Sequence, residues 1–156
     1  MQTSDVSISS TNILLEAAPI QRDWVLQGSP EARNRVIFKS RDGNAWTMVW
    51  ECTAGIFNWH YDCDETVHIL DGHVLLTMGS ETRELGPGDA VFFPAGSQVT
   101  WQVDTYVRKI AFLRQNVPPA LGLIIKLIRR ARTIATKVTR GTTVSATGRF
   151  HHSAQS

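Results

Sequence analysis

From residue 36 to residue 113 the chain breaks into short β-prone runs, and a turn signal closes most of them. The runs are 36–38, 46–52, 57–61, 67–70, 74–78, 90–93, 99–103 and 107–113. Among them stand Asp42-Gly43-Asn44, Asp71-Gly72, Met78-Gly79-Ser80, Gly86-Pro87-Gly88-Asp89 and Pro94-Ala95-Gly96. Glycine reaches left-handed backbone at no steric cost and proline fixes φ, so each cluster reverses the chain. Short strands joined by such turns fold as an antiparallel sandwich or barrel, an all-β architecture. No internal repeat and no apolar run of transmembrane length interrupts the pattern.

The flanks read differently. Residues 1–18 form a polar, then mildly apolar arm, and 19–35 mix Pro, Gly and charge around Trp24 in a segment suited to capping the barrel, which extends over 19–115. After Asn116 the period lengthens. Leu121, Ile124, Ile125, Ile128, Ala131, Ile134 and Val138 share one side of a helical wheel, with Lys126, Arg129, Arg130 and Lys137 on the other. An amphipathic basic α-helix is expected over 116–140, and a small polar tail, disordered by composition, over 141–156. Charge follows the same division. Residues 1–107 hold all 14 acidic residues and 6 of the 16 Lys and Arg; residues 108–156 hold the other 10 and no acid. Two cysteines, Cys52 and Cys63, do not make a disulfide scaffold, and no basic cluster followed by an apolar run opens the chain. The expectation is a cytoplasmic protein.

Ala32-Arg33-Asn34, the block 50–72, the block 86–96 and Tyr106-Val107-Arg108-Lys109 together resemble the cupin superfamily, and within it the small single-domain ureidoglycine-aminohydrolase-like branch. The resemblance implies a jelly-roll-like cupin barrel and, through a shared sheet, a homodimer. It also implies where a metal would sit. Counting back from Gly72, the first-motif ligand positions fall on Trp59, Tyr61 and Glu65; counting on from Gly96, the last falls on Val99. One carboxylate in four positions does not make a site for a divalent transition metal, so no metal and no other cofactor is expected.

Strand alternation sets Phe57, Trp59 and Tyr61 on one face, Glu65 with Val67 and Ile69 on another, and Val99 with Trp101 and Val103 on a third. If these faces point inward, the barrel holds an aromatic cavity with a single carboxylate. Phe57, Trp59, Tyr61, Glu65, Val99 and Trp101 are then candidate ligand-binding residues. A small cationic molecule, such as an amine, would satisfy Glu65, with a tryptophan face for its charge. A hydrolase or isomerase acting on a small nitrogenous metabolite would use Glu65 as general base and Tyr61 as acid. A third reading fills the barrel with these aromatics and leaves function to the helix, as an interaction module.

His60, Asp62, Cys63, Asp64, His68 and His73 are rich in ligand atoms, but His60 and His68 alternate onto the face opposite the pocket. The helix could pack on protein or lie at an anionic membrane surface, making the protein peripheral to the membrane. Nucleic acid is not an expected partner, because the helix lacks interleaved aromatics and the acidic body repels phosphate.

Overall fold

The computed structural model describes residues 6–116. The expected basic helix, with Lys126, Arg129, Arg130 and Lys137, and the tail lie outside the described residues. Within them the chain is all β apart from one 3-10 turn at Arg22–Trp24. The strands are β1 (Glu16–Ala17), β2 (Val25–Gly28), β3 (Ala32–Lys39), β4 (Ala45–His60), β5 (Asp64–Gly72), β6 (Val74–Met78), β7 (Glu81–Leu85), β8 (Ala90–Phe93) and β9 (Gln98–Arg114).

All pairings are antiparallel, in the order β1-β3-β4-β9-β5-β8, with β2 on β4 and the β6–β7 hairpin joined to β9 through β6. β9 is the common member. Its first part pairs with β4 and β6, and its second with β4 and β5. The core lies between, built on Trp101, Phe57, Phe93, Ile69, Leu76 and Val67.

Several elements differ from the sequence expectation. The runs 46–52 and 57–61 are one continuous strand, β4, and the runs 99–103 and 107–113 are one strand, β9. The expected break survives only as a bulge. Thr53 pairs with Tyr106 and Gly55 with Val103, so Ala54 stands against Asp104 and Thr105. The inward side of β4 changes parity across this region. Before it the buried positions on the cavity side of β4 include Trp50 and Cys52; after it they include Phe57. Gly55 is needed there because a Cβ would stand 2.8 Å from the Pro30 ring. β7 arose where no strand was expected, and β2 lies inside the segment read as irregular.

The turns behave as their residues dictate. Asp89 accepts from the Gly86 N–H at 2.9 Å and its own N–H donates to the Gly86 carbonyl. Gly72 carries φ +72°, and a Cβ there would come within 2.0 Å of the Tyr106 carbonyl oxygen, so only glycine lets β5 approach β9.

Candidate functional site

An open cleft of about 570 Å³ enters the barrel between the capping segment and the inner faces of β3, β4, β5 and β9. Its walls include Ile20, Trp24, Met48, Trp50, Trp59 and Leu113; Asn34, Tyr61, Glu65 and Lys109 supply its less exposed polar groups, and the exposed Gln21, His60 and Asp62 line it as well, His60 contrary to the expectation that it faces away from the pocket. Trp24 reaches the cleft from the 3-10 turn and meets the Trp59 ring edge-on, centroids 5.4 Å apart. Trp50 meets Trp59 at 6.0 Å in a T-shaped contact, which the parity change along β4 makes possible.

At the floor lies a buried ion pair. Lys109 Nζ donates to Glu65 Oε1 at 2.8 Å. The same ammonium sits 4.6 Å from the centroid of Trp101 and 5.0 Å from that of Trp50. The carboxylate expected to draw a cation from a ligand thus has one from its own chain. Two ring faces add attraction worth up to about 2 kcal/mol for a desolvated cation, which offsets part of the cost of removing both charges from water.

Tyr61 stacks on Phe93 with ring centroids 4.3 Å apart, and its hydroxyl accepts the Trp101 indole N–H at 3.0 Å. Burial, and after it the neighbouring Glu65 charge, push the phenol well above its ordinary range, while the Trp101 hydrogen bond opposes them. This hydroxyl keeps its proton throughout the physiological range.

The six residues expected to contact a ligand therefore divide. Trp59, Tyr61 and Glu65 line the cleft; Phe57, Val99 and Trp101 do not, and pack as core beneath it. Lys109, Trp50 and Trp24 are cleft residues that the sequence reading did not single out. For Lys109 a signal existed, since it falls in phase with the apolar Val107, Ala111 and Leu113 along the expected strand.

The positions that would ligate a metal do not fit one. Trp59 and Val99 offer no donor, the Tyr61 hydroxyl is engaged by Trp101, and the Glu65 carboxylate is held by an ammonium. Among the described residues no group of three or more His, Cys, Asp or Glu converges, so His60, Asp62, Cys63, Asp64, His68 and His73 do not form an alternative site. Cys63 is buried and no nucleophile at neutral pH. Burial first, then Asp62 and Glu65, raise its thiol to about 11.

Residues 39–111 match the family model of the EutQ-like cupin domain. No curated protein matches the chain. Among solved structures, a Pseudomonas syringae pv. tomato protein of unknown function in the DUF861 family aligns at TM-score 0.62 and 21% identity, covering 67% of this chain and 46% of that one. The EutQ protein of Clostridium difficile aligns at TM-score 0.50 and 21% identity, over 55% of this chain and 64% of that chain. A cupin superfamily protein of Desulfitobacterium hafniense aligns at TM-score 0.51 and 13% identity, over 73% and 94%. The match thus spans less than two thirds of the first two proteins, and at such identities these structures speak for the fold. Among the described residues no helix is long and apolar enough to cross a membrane. Barrel topology, turn chemistry and the family match agree on one point: over residues 39–111 the chain is similar to the EutQ-like cupin domain.

Proposed function

We propose that the protein binds a small molecule in the aromatic cleft without a metal, and that Trp59, Tyr61, Glu65 and Lys109 contact it. The observation that carries this reading is the Glu65–Lys109 pair at the base of an open, tryptophan-walled cleft. A volume of about 570 Å³ suits a small organic ligand, and apolar walls with a few convergent polar groups are what such ligands require. A filled barrel would gain more from two packed apolar residues than from a buried ion pair, which is weak as a source of stability.

The test is a thermal-shift and tryptophan-fluorescence screen of the full chain against small polar aromatics. A ligand should raise the melting temperature, and the rise should keep growing with the logarithm of its concentration above the dissociation constant. Its affinity should fall at least tenfold in Trp59→Ala. Binding that is unchanged in that variant removes the reading.

A hydrolase or isomerase using Glu65 and Tyr61, and with it the ureidoglycine-aminohydrolase-like branch, is the weaker alternative. Tyr61 holds its proton too firmly to act as an acid near pH 7, and Glu65 is engaged by Lys109.

A second copy of the chain is the partner best supported. Phe92 and Phe112 flank Thr66 on the outward face and stand 57% and 49% exposed, beside Lys39, Asp64 and Arg114. An aromatic patch rimmed by both signs of charge can meet its own two-fold copy. Sedimentation should give a dimer for the wild type and a monomer for Phe92→Glu. Contact with an anionic membrane through Lys126, Arg129, Arg130 and Lys137 rests on sequence alone. Equal co-sedimentation with anionic and neutral vesicles would eliminate it.

A further inference from the structure

On the reading that the cleft is a binding site, we infer that it selects an uncharged group with a hydrogen-bond acceptor beside a donor, of the carboxamide kind, over an ammonium or a carboxylate.

The argument starts from the floor. Glu65 on β5 and Lys109 on β9 both line the cleft, 2.8 Å apart, and cancel each other's charge. Neither is used up by the other. An ammonium carries three N–H donors, and a carboxylate has room for about four hydrogen bonds. The Trp50 and Trp101 rings lie close to the ammonium and hold it in place. The floor therefore offers a fixed donor next to a fixed acceptor, with no net charge.

Three ligand chemistries can be set against it. An ammonium would hydrogen-bond to Glu65 but meet the Lys109 charge. A carboxylate would accept from Lys109 but meet Glu65. Each ion gains from one partner what it loses to the other, and each must also leave water. A carboxamide accepts from Lys109 through its carbonyl, donates to Glu65 through its N–H, and brings no charge to desolvate. The other polar side chains lining the cleft do not change the balance. Asn34, Gln21 and Tyr61 are uncharged. His60 and Asp62 are exposed, where solvent screens them. The walls add a requirement for a flat apolar body, since Trp24, Trp50 and Trp59 present ring faces and edges to the same space.

The test uses the full chain and three probes sharing one body: phenylacetamide, phenylacetate and phenethylammonium. Dissociation constants come from tryptophan fluorescence, and binding is located by shifts of the indole N–H resonances. The carboxamide should bind at least tenfold more tightly than either ion, moving the Trp50 and Trp59 signals. If either ion binds as tightly, this inference falls and the cleft remains a binding site. If none of the three moves those signals, both fall. Substitution adds an independent check. Glu65→Gln should turn the preference toward phenylacetate, and Lys109→Gln toward phenethylammonium. An unchanged ranking in either folded variant overturns the inference, and the wild-type ranking decides it if neither folds.

Discussion

Arg108 and Lys109 are consecutive on β9 and point to opposite sides of the barrel, and each pairs with a glutamate on a neighbouring strand. The inward pair, Lys109 with Glu65, has side chains 4% and 6% exposed; the outward pair, Arg108 with Glu51, has 17% and 18%. Arg108 spreads its guanidinium over Glu51 and the Thr11 and Ile13 carbonyls, and Tyr106 donates to the same Glu51 at 2.9 Å. That planar fork ties the N-terminal arm to the sheet. Lys109 has no such fork; it offers a compact charge to one carboxylate and two rings. One pair fastens two segments, and the other forms the floor of a cavity.

The sharpest way to break the comparison is to remove one partner of each pair. Lys109→Met leaves Glu65 buried without its cation and should cost about 3–5 kcal/mol, read as a lower urea midpoint. The double variant Glu65→Gln/Lys109→Met should recover most of that loss; a double variant as unstable as the single would show that the pair is not self-contained. Arg108→Ala should cost about 2 kcal/mol, because charge-assisted hydrogen bonds are lost at a site water can reach. Its distinctive effect is local. The Ala18 amide, which donates to the Ala32 carbonyl where the arm meets the sheet, should lose hydrogen-exchange protection in Arg108→Ala and keep it in Glu65→Gln/Lys109→Met. Arg108→Lys should fall between, within about 1 kcal/mol of wild type, since charge remains and the fork does not.

The last effect is a pH slope. Burial raises the Cys52 thiol from 9.0 to about 12, opposed by the Lys109 charge, and raises Cys63 from 9.0 to about 11. The folded chain thus holds protons that the unfolded chain releases from pH 9 upward, so stability should decline as pH rises from 9 toward 11. Urea midpoints measured across that window should decline less steeply in Cys52→Ala. In Lys109→Met the opposing charge is gone, and Cys52 should resist alkylation to a still higher pH.

The fold was legible because its turns are written in glycine, proline and aspartate, and the strands between them alternate. Trp59, Tyr61 and Glu65 followed from that alternation. Trp50 did not, because the inward side of β4 changes parity between Cys52 and Phe57, and nothing local distinguishes such an irregularity from the gap between two strands. β7 was missed because Glu81, Thr82, Arg83 and Glu84 are solvent-facing, with no apolar alternation to betray a strand. Trp24 sits in a segment without period. Lys109 was hidden by its type: a lysine on the inner side of a strand goes unnoticed until its glutamate is found across the sheet.

The pairing of β9 also bears on how the chain reaches this state. β4 pairs with it from Ala45↔Arg114 to His60↔Gln98, and β5 and β6 lean on it as well. Such distant pairing makes for high contact order and slow folding. During synthesis the first eight strands would leave the ribosome before the one that joins them. Until then β4 would present an open apolar edge to solvent, and premature chain termination within β9 should yield aggregates rather than a smaller barrel.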